Sequence, residues 1–117
     1  MSTTPTSPDV VLSTLDTNCP ATRTMVEHIT SKWGVLVLLL LDGATLRWSE
    51  VKRAIPGVSE KMLIQTLQTL ESDGLVHRAA LPVVPPHVEY SLTPDGAEAS
   101  RLLRPLVAWA QGHAQER

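Results

Sequence analysis

Phenylalanine is absent from this chain, and its aromatic area comes from three Trp and one Tyr. Leu, Val, Ile and the Trp residues must therefore build the core. Cysteine is almost as scarce: a single Cys19 excludes a disulfide framework within one chain and suits a reducing compartment. Long apolar runs are missing too. The longest, Val35 to Leu41, falls far below the roughly 20 residues of a membrane span, so no membrane partner is expected. The opening residues MSTTPTSPD have neither a basic start nor an apolar stretch, so no secretory signal is read there and a cytoplasmic location is expected. An excess of positive charge is also lacking. Ten Lys and Arg against twelve Asp and Glu leave a formal charge of -2, which excludes a histone-like protein or a strongly basic arm that grips nucleic acid by bulk charge. The chain carries no G-x-S-x-G, P-loop or paired-carboxylate motif, so an enzyme is not expected and no cofactor is implied. His28, His77, His87 and His113 have no helical pair spacing and no neighbouring Cys, so no metal site is expected.

What is present fits one domain of 117 residues, long enough to bury a real core. Residues 1–8 are rich in Ser, Thr and Pro and read as a tail; residues 9–117 read as a single domain. Residues 9–16 have the pattern of a short helix or an ordered arm. Pro20 reads as the first residue of a helix capped near Asn18 or Cys19, with Met25, Val26 and Ile29 at helical spacing. The run Trp33 to Leu41 is too uniformly apolar for a surface helix. A buried helix is expected there, although periodicity alone leaves a strand open. A short helix from Ser49 to Ile55 ends at Pro56-Gly57. Ser59 then caps a helix to about Ser72, which Asp73-Gly74 terminates. Leu63, Leu67 and Leu70 share one face of that helix, with Lys61, Gln65, Gln68 and Ser72 on or near the other. Leu75–Leu81 and Val88–Leu92 read as strands joined by the stiff segment PVVPP. Thr93-Pro94 opens a last helix carrying Ala99, Leu102, Leu103, Leu106, Val107 and Trp109, in which Pro105 predicts a kink or break.

A short helix, a Pro-Gly turn, a capped second helix and a hairpin make a winged helix-turn-helix pattern. The fold class is thus mainly α with a small β-hairpin wing. At this point residues 19 to about 110 resemble the HxlR-type winged helix-turn-helix regulators of bacteria, within the MarR-like superfamily. The resemblance rests on CPATRTMVEHITSKWGVLVLLLLDG, LRWSEVKRAIPGVSEKMLIQTLQTLESDGLV and PVVPPHVEYSLTPDG. It implies a homodimeric regulator that binds double-stranded DNA, with first and last helices pairing the subunits. It also implies that the Cys matching Cys19 serves some members as a sensor of oxidants or electrophiles. Where many relatives carry Arg, this chain has Thr66, Gln68 and His87, which lowers the phosphate neutralisation expected per subunit.

The residues expected at DNA are Arg47, Lys52, Arg53, Ser59, Lys61, Gln65, Gln68, Arg78 and His87. Gln65 suits adenine N6 and N7, and Ser59 and Lys61 lie where a helix N-terminus meets phosphate. The plain alternative for this row is the solvated face that any soluble helix needs. Charge between residues 47 and 90 cancels, since Arg47, Lys52, Arg53, Lys61 and Arg78 meet Glu50, Glu60, Glu71, Asp73 and Glu89. Any positive face must come from geometry that gathers the basic groups and His87 on one side. Val11, Leu12, Leu15, Leu102, Leu103, Leu106 and Trp109 are the expected dimer contacts, and Trp33 and Trp48 are expected in the core. Cys19 beside a helix N-terminus fits a lowered thiol pKa and a sensing role; an inert half-buried thiol is the other reading. The function expected is transcriptional regulation, by repression at a pseudo-palindromic operator. Two alternatives stay open: a winged helix that binds protein, and a regulator that senses a small molecule at its dimer interface.

Overall fold

The computed structural model describes residues 19–115. The tail at 1–8, the segment 9–16 and the contacts expected of Val11, Leu12 and Leu15 lie outside them. Five helices and three strands follow in the order α1 (Pro20–Ile29), α2 (Lys32–Leu40), β1 (Leu46–Arg47), α3 (Trp48–Ala54), α4 (Glu60–Ser72), β2 (Val76–Leu81), β3 (His87–Leu92) and α5 (Pro94–Gln115). This is the winged helix-turn-helix that the pattern predicts.

Local chemistry explains most of the boundaries. Pro20 starts α1, with Cys19 as an extended N-cap residue. The apolar run at 33–41 is helical rather than extended. Ser31 accepts from the Gly34 N–H at 3.1 Å, and Gly34 lies so close to the His28 carbonyl that a side chain there would collide with it. Its burial is one-sided, however: Val37, Leu38 and Leu41 are buried, whereas Leu36 is exposed. In α3, the Glu50 carboxylate accepts from the Arg47 N–H at 2.8 Å. The turn to α4 passes through Gly57 at φ 84°, and α4 ends against Gly74 at φ 78°, both in the left-handed region that glycine tolerates.

The sheet order is β1-β3-β2, antiparallel throughout. Two residues, Leu46 and Arg47, make up β1, which the sequence reading did not foresee because so short a strand has no periodicity. Leu46 pairs with Tyr90 and Arg47 with Glu89, which docks the hairpin onto the start of α3. The wing itself pairs Val76 with Leu92 through to Leu81 with His87.

Helix α2 is the hub: α1, α3, α4 and α5 all pack on it. The buried core joins Val37, Leu38 and Leu41 of the α2 region to Val51 and Ile55, to Leu63, Leu67 and Leu70 of α4, and to Tyr90 and Leu103. Trp33 and Trp48 are half-buried and pack against this core. Leu103 corrects the sequence reading: at 7% exposed it fills the chain's own core and is not available to a partner. Of the kink or break expected at Pro105, the break does not occur, because α5 runs continuously for 22 residues through that position. A proline deprives the carbonyl four residues earlier of its partner, and here that carbonyl belongs to Arg101, an exposed residue where water can replace the missing N–H.

Candidate nucleic-acid interface

Helix α4 carries its leucine stripe inward and a polar row outward. Leu63 is fully buried and Leu67 and Leu70 are 1% exposed, whereas Lys61, Gln65, Gln68 and Ser72 are all exposed. At 100° per residue these four lie within a narrow arc opposite the leucines. The row is therefore held outward by burial of its opposite face. Ser59 Oγ accepts from the Met62 N–H at 3.1 Å, so its lone pair caps the helix, and only its hydroxyl proton is left for a phosphate. Glu60 in the first turn suits the positive end of the helix dipole but opposes phosphate.

The remaining candidates divide. Lys52 and Arg53 lie in the last turn of α3, where cations favour the helix dipole. Within the sheet, pleating separates the other three. Arg47 stands opposite Glu89, and His87 shares the Glu89 face of β3, while Arg78 pairs with Tyr90 on the opposite face. The three basic groups of the sheet thus do not share one face. Glu89 also sits between two of them, since His87 Nε2 lies 3.3 Å from its carboxylate. Arg78 instead joins Gln68, Ile64 and Glu71 around a cavity of about 300 Å³ between α4 and the wing. The polar row and the hairpin are therefore contiguous at Gln68 and Arg78.

Two apolar residues on α4 escaped the sequence reading. Met62 is 41% and Ile64 45% exposed, one on each flank of the polar row. Their signal was present: both are large apolar residues off the leucine stripe. A second bond fixes α4 from behind, where His28 Nδ1 and the Asp73 carboxylate lie 2.7 Å apart and tie α1 to the end of α4. At the wing tip Val84 is 98% exposed, and no ionisable residue lies between Leu81 and His87.

Away from this face, Cys19 is half-buried at the mouth of α1. The thiol makes no full cap hydrogen bond, but the nearby Thr22 backbone first, then the Thr22 side chain and the Ala21 backbone, favour the thiolate and lower its pKa below the ordinary value, against a smaller upward push from burial. On α5, Leu102, Leu106 and Trp109 are 66%, 58% and 60% exposed and form one stripe. Trp109 stacks with His113 at 4.4 Å between ring centroids.

Comparison with known proteins agrees with this geometry. A family model described as HxlR-like helix-turn-helix matches residues 28–117. The HTH-type transcriptional regulator YtfH of Escherichia coli is 54% identical over 93 residues, covering 80% of this chain and 73% of that protein. The solved structure of the transcriptional regulator ytfH from Salmonella typhimurium is 50% identical with a TM-score of 0.73, covering 85% of this chain and 93% of the other. The redox regulator HypR in its oxidized form is 32% identical with a TM-score of 0.65, covering 85% and 97%.

Proposed function

Given that the chain belongs to the HxlR-like helix-turn-helix family of transcriptional regulators, we propose that it acts as a homodimeric repressor whose α4 reads a pseudo-palindromic operator. One observation carries the reading: the exposed row Lys61, Gln65 and Gln68, fixed by a buried leucine face and continuous with the wing at Arg78. Gln65 and Gln68 offer amide pairs that match adenine N6 and N7, and Lys61 supplies phosphate contact. The exposed stripe Leu102, Leu106 and Trp109 is the surface a second subunit covers, which brings two α4 helices into successive major grooves about 34 Å apart. Occupying a promoter in this way blocks transcription.

Sequencing the genomic fragments that the purified protein selects tests the proposal directly. The selected operator outcompetes random DNA at moderate salt, Lys61→Ala weakens binding to every sequence, and Gln65→Ala narrows the gap between operator and random DNA. Equal competition by the two DNAs overturns the reading.

The lowered pKa of Cys19 supports oxidant control of the same regulator, in keeping with its similarity to HypR. With one thiol per chain, the disulfide forms between subunits or with a small thiol. Two thiols are joined, and diamide takes up the two electrons and two protons as the hydrazine. Diamide therefore changes DNA affinity in the native protein and not in Cys19→Ser; an equal response in that variant removes Cys19 from the mechanism.

A further inference from the structure

The cavity of about 300 Å³ between α4 and the wing carries a chemistry that base reading does not use. Ile64 and Leu67 are its apolar part, and Gln68, Glu71, Arg78 and Tyr90 complete its lining. Tyr90 is 9% exposed and belongs to the buried core, yet its hydroxyl makes no hydrogen bond among the described residues. Ser100 Oγ is the one fully buried side-chain polar atom without a partner among those residues, so the Tyr90 hydroxyl still reaches the cavity it lines. Arg78 is its antiparallel partner and shares its face of the sheet. The Arg78 side chain is exposed and forms no ion pair among the described residues, with Glu71 or any other. We propose that this cleft seats one phosphate of the DNA backbone, held by the Arg78 guanidinium and the Tyr90 hydroxyl.

Donor chemistry and geometry select that occupant. A guanidinium offers only donors, in a fork that fits two phosphate oxygens, and a phenol hydroxyl adds a further donor. Arg and Tyr side chains are both among those that position a protein on the DNA backbone. The cleft is half-open, as the seat of a continuous strand has to be. A helix lying in the major groove has a sugar-phosphate strand along each flank, and the wing stands on one flank of α4. The strand on that side therefore meets the junction of Gln68 and Arg78. That step rests on the operator reading above.

Glu71 gives the seat its second property. Its carboxylate opposes a phosphate from α4 and cancels the charge of Arg78, so a free phosphate ion gains little there. A phosphate that belongs to the duplex is brought in by the base contacts of the polar row. The carboxylate thus weakens the hold on any duplex and leaves more of the affinity to base reading.

Neutral methylphosphonates placed one at a time along the selected operator test the seat. In each half-site one position is expected to weaken the native protein about tenfold. The same position costs Tyr90→Phe and Arg78→Ala much less, because the contact is already reduced. Tyr90→Phe by itself weakens operator and random duplex alike by about tenfold, with its urea midpoint unchanged, since the hydroxyl bonds nothing within the fold. Arg78→Ala makes the dependence of log affinity on log salt shallower by about 0.9 per subunit. Glu71→Gln tightens both DNAs several-fold; unchanged or weaker binding overturns its opposing role. Inorganic phosphate alone gives no saturable change in the amide shifts of Gln68, Glu71 and Arg78. Native affinity in Tyr90→Phe, a lowered urea midpoint, or equal losses from every methylphosphonate in all three proteins overturns the seat while the operator reading stands. Saturation by inorganic phosphate assigns the cleft to the free ion and overturns it as well. A native protein that binds operator and random DNA equally, yet loses affinity for both on Tyr90→Phe, refutes the operator reading and leaves the seat standing.

Discussion

Thr93 joins three parts of the molecule through one side chain and one amide. Its hydroxyl donates to the Gly74 carbonyl at 2.6 Å and accepts from the Gly96 N–H at 3.0 Å, while its own N–H reaches the Leu75 carbonyl at 3.1 Å. The end of α4, the base of the wing and the start of α5 are thereby pinned together. Gly96 permits the approach: a Cβ built there would stand 1.9 Å from the Leu75 carbonyl oxygen. Gly96→Ala is expected to destabilise the fold by about 2 kcal/mol or more, since the obstacle is backbone rather than a movable side chain. Gly112→Ala, with open space around it on the same helix, stabilises by up to about 1 kcal/mol. Urea denaturation of the two variants checks the contrast. Cys19 gives a prediction of another kind. A thiol whose folded pKa lies below its unfolded one adds stability above the unfolded value, and loses it as the pH falls through the folded value. The pH midpoint for alkylation by iodoacetamide should accordingly be lower in the native protein than in urea; coincident midpoints would contradict the stabilisation of the thiolate by the start of α1.

Among the elements, α4 and α5 show how sequence pattern and environment divide the work. The leucine spacing of α4, its Ser59 cap and its Gly74 stop were all legible, because each is a local rule that the surroundings do not oppose. The polar row of α4 followed from the same spacing. The flanks did not: whether Met62 and Ile64 are covered depends on what packs beside the helix. Helix α5 shows the opposite outcome, where a local rule was overridden. Pro105 costs α5 a hydrogen bond, yet the helix, packed against α2, continues through that point. Pro105→Ala restores the N–H to a helix that already exists. It should raise stability by about 1–3 kcal/mol, read from the denaturation midpoint, with no change in helical circular dichroism.

At the scale of the whole molecule, charge and apolar surface decide how DNA is held. The basic groups of the sheet do not converge, for Arg47 and His87 share a sheet face with Glu89 and Arg78 lies on the other. On the proposed reading few phosphates are neutralised per subunit, so specific affinity comes from base contacts made twice, through a dimer. Leu106→Glu places a charge in the exposed stripe of α5 without touching the core. It is expected to yield monomers in sedimentation and to weaken operator binding at least tenfold; a dimer that survives the substitution moves the interface elsewhere.

The sequence by itself determined the order of elements, the caps, the turn between α3 and α4 and the outward row of α4, because helical and strand periodicities and glycine's backbone freedom act within a few residues. Only the tertiary structure decided which apolar side chains of α5 face inward. Leu103 and Leu102 are neighbours of equal hydrophobicity, yet one fills the core and the other stays exposed. The sheet faces of Arg47, His87 and Arg78, the two-residue strand β1 and the contact between α1 and the end of α4 were likewise settled by which surfaces meet. Those contacts join residues far apart along the chain, as His28 and Asp73 are, and no local spacing encodes them.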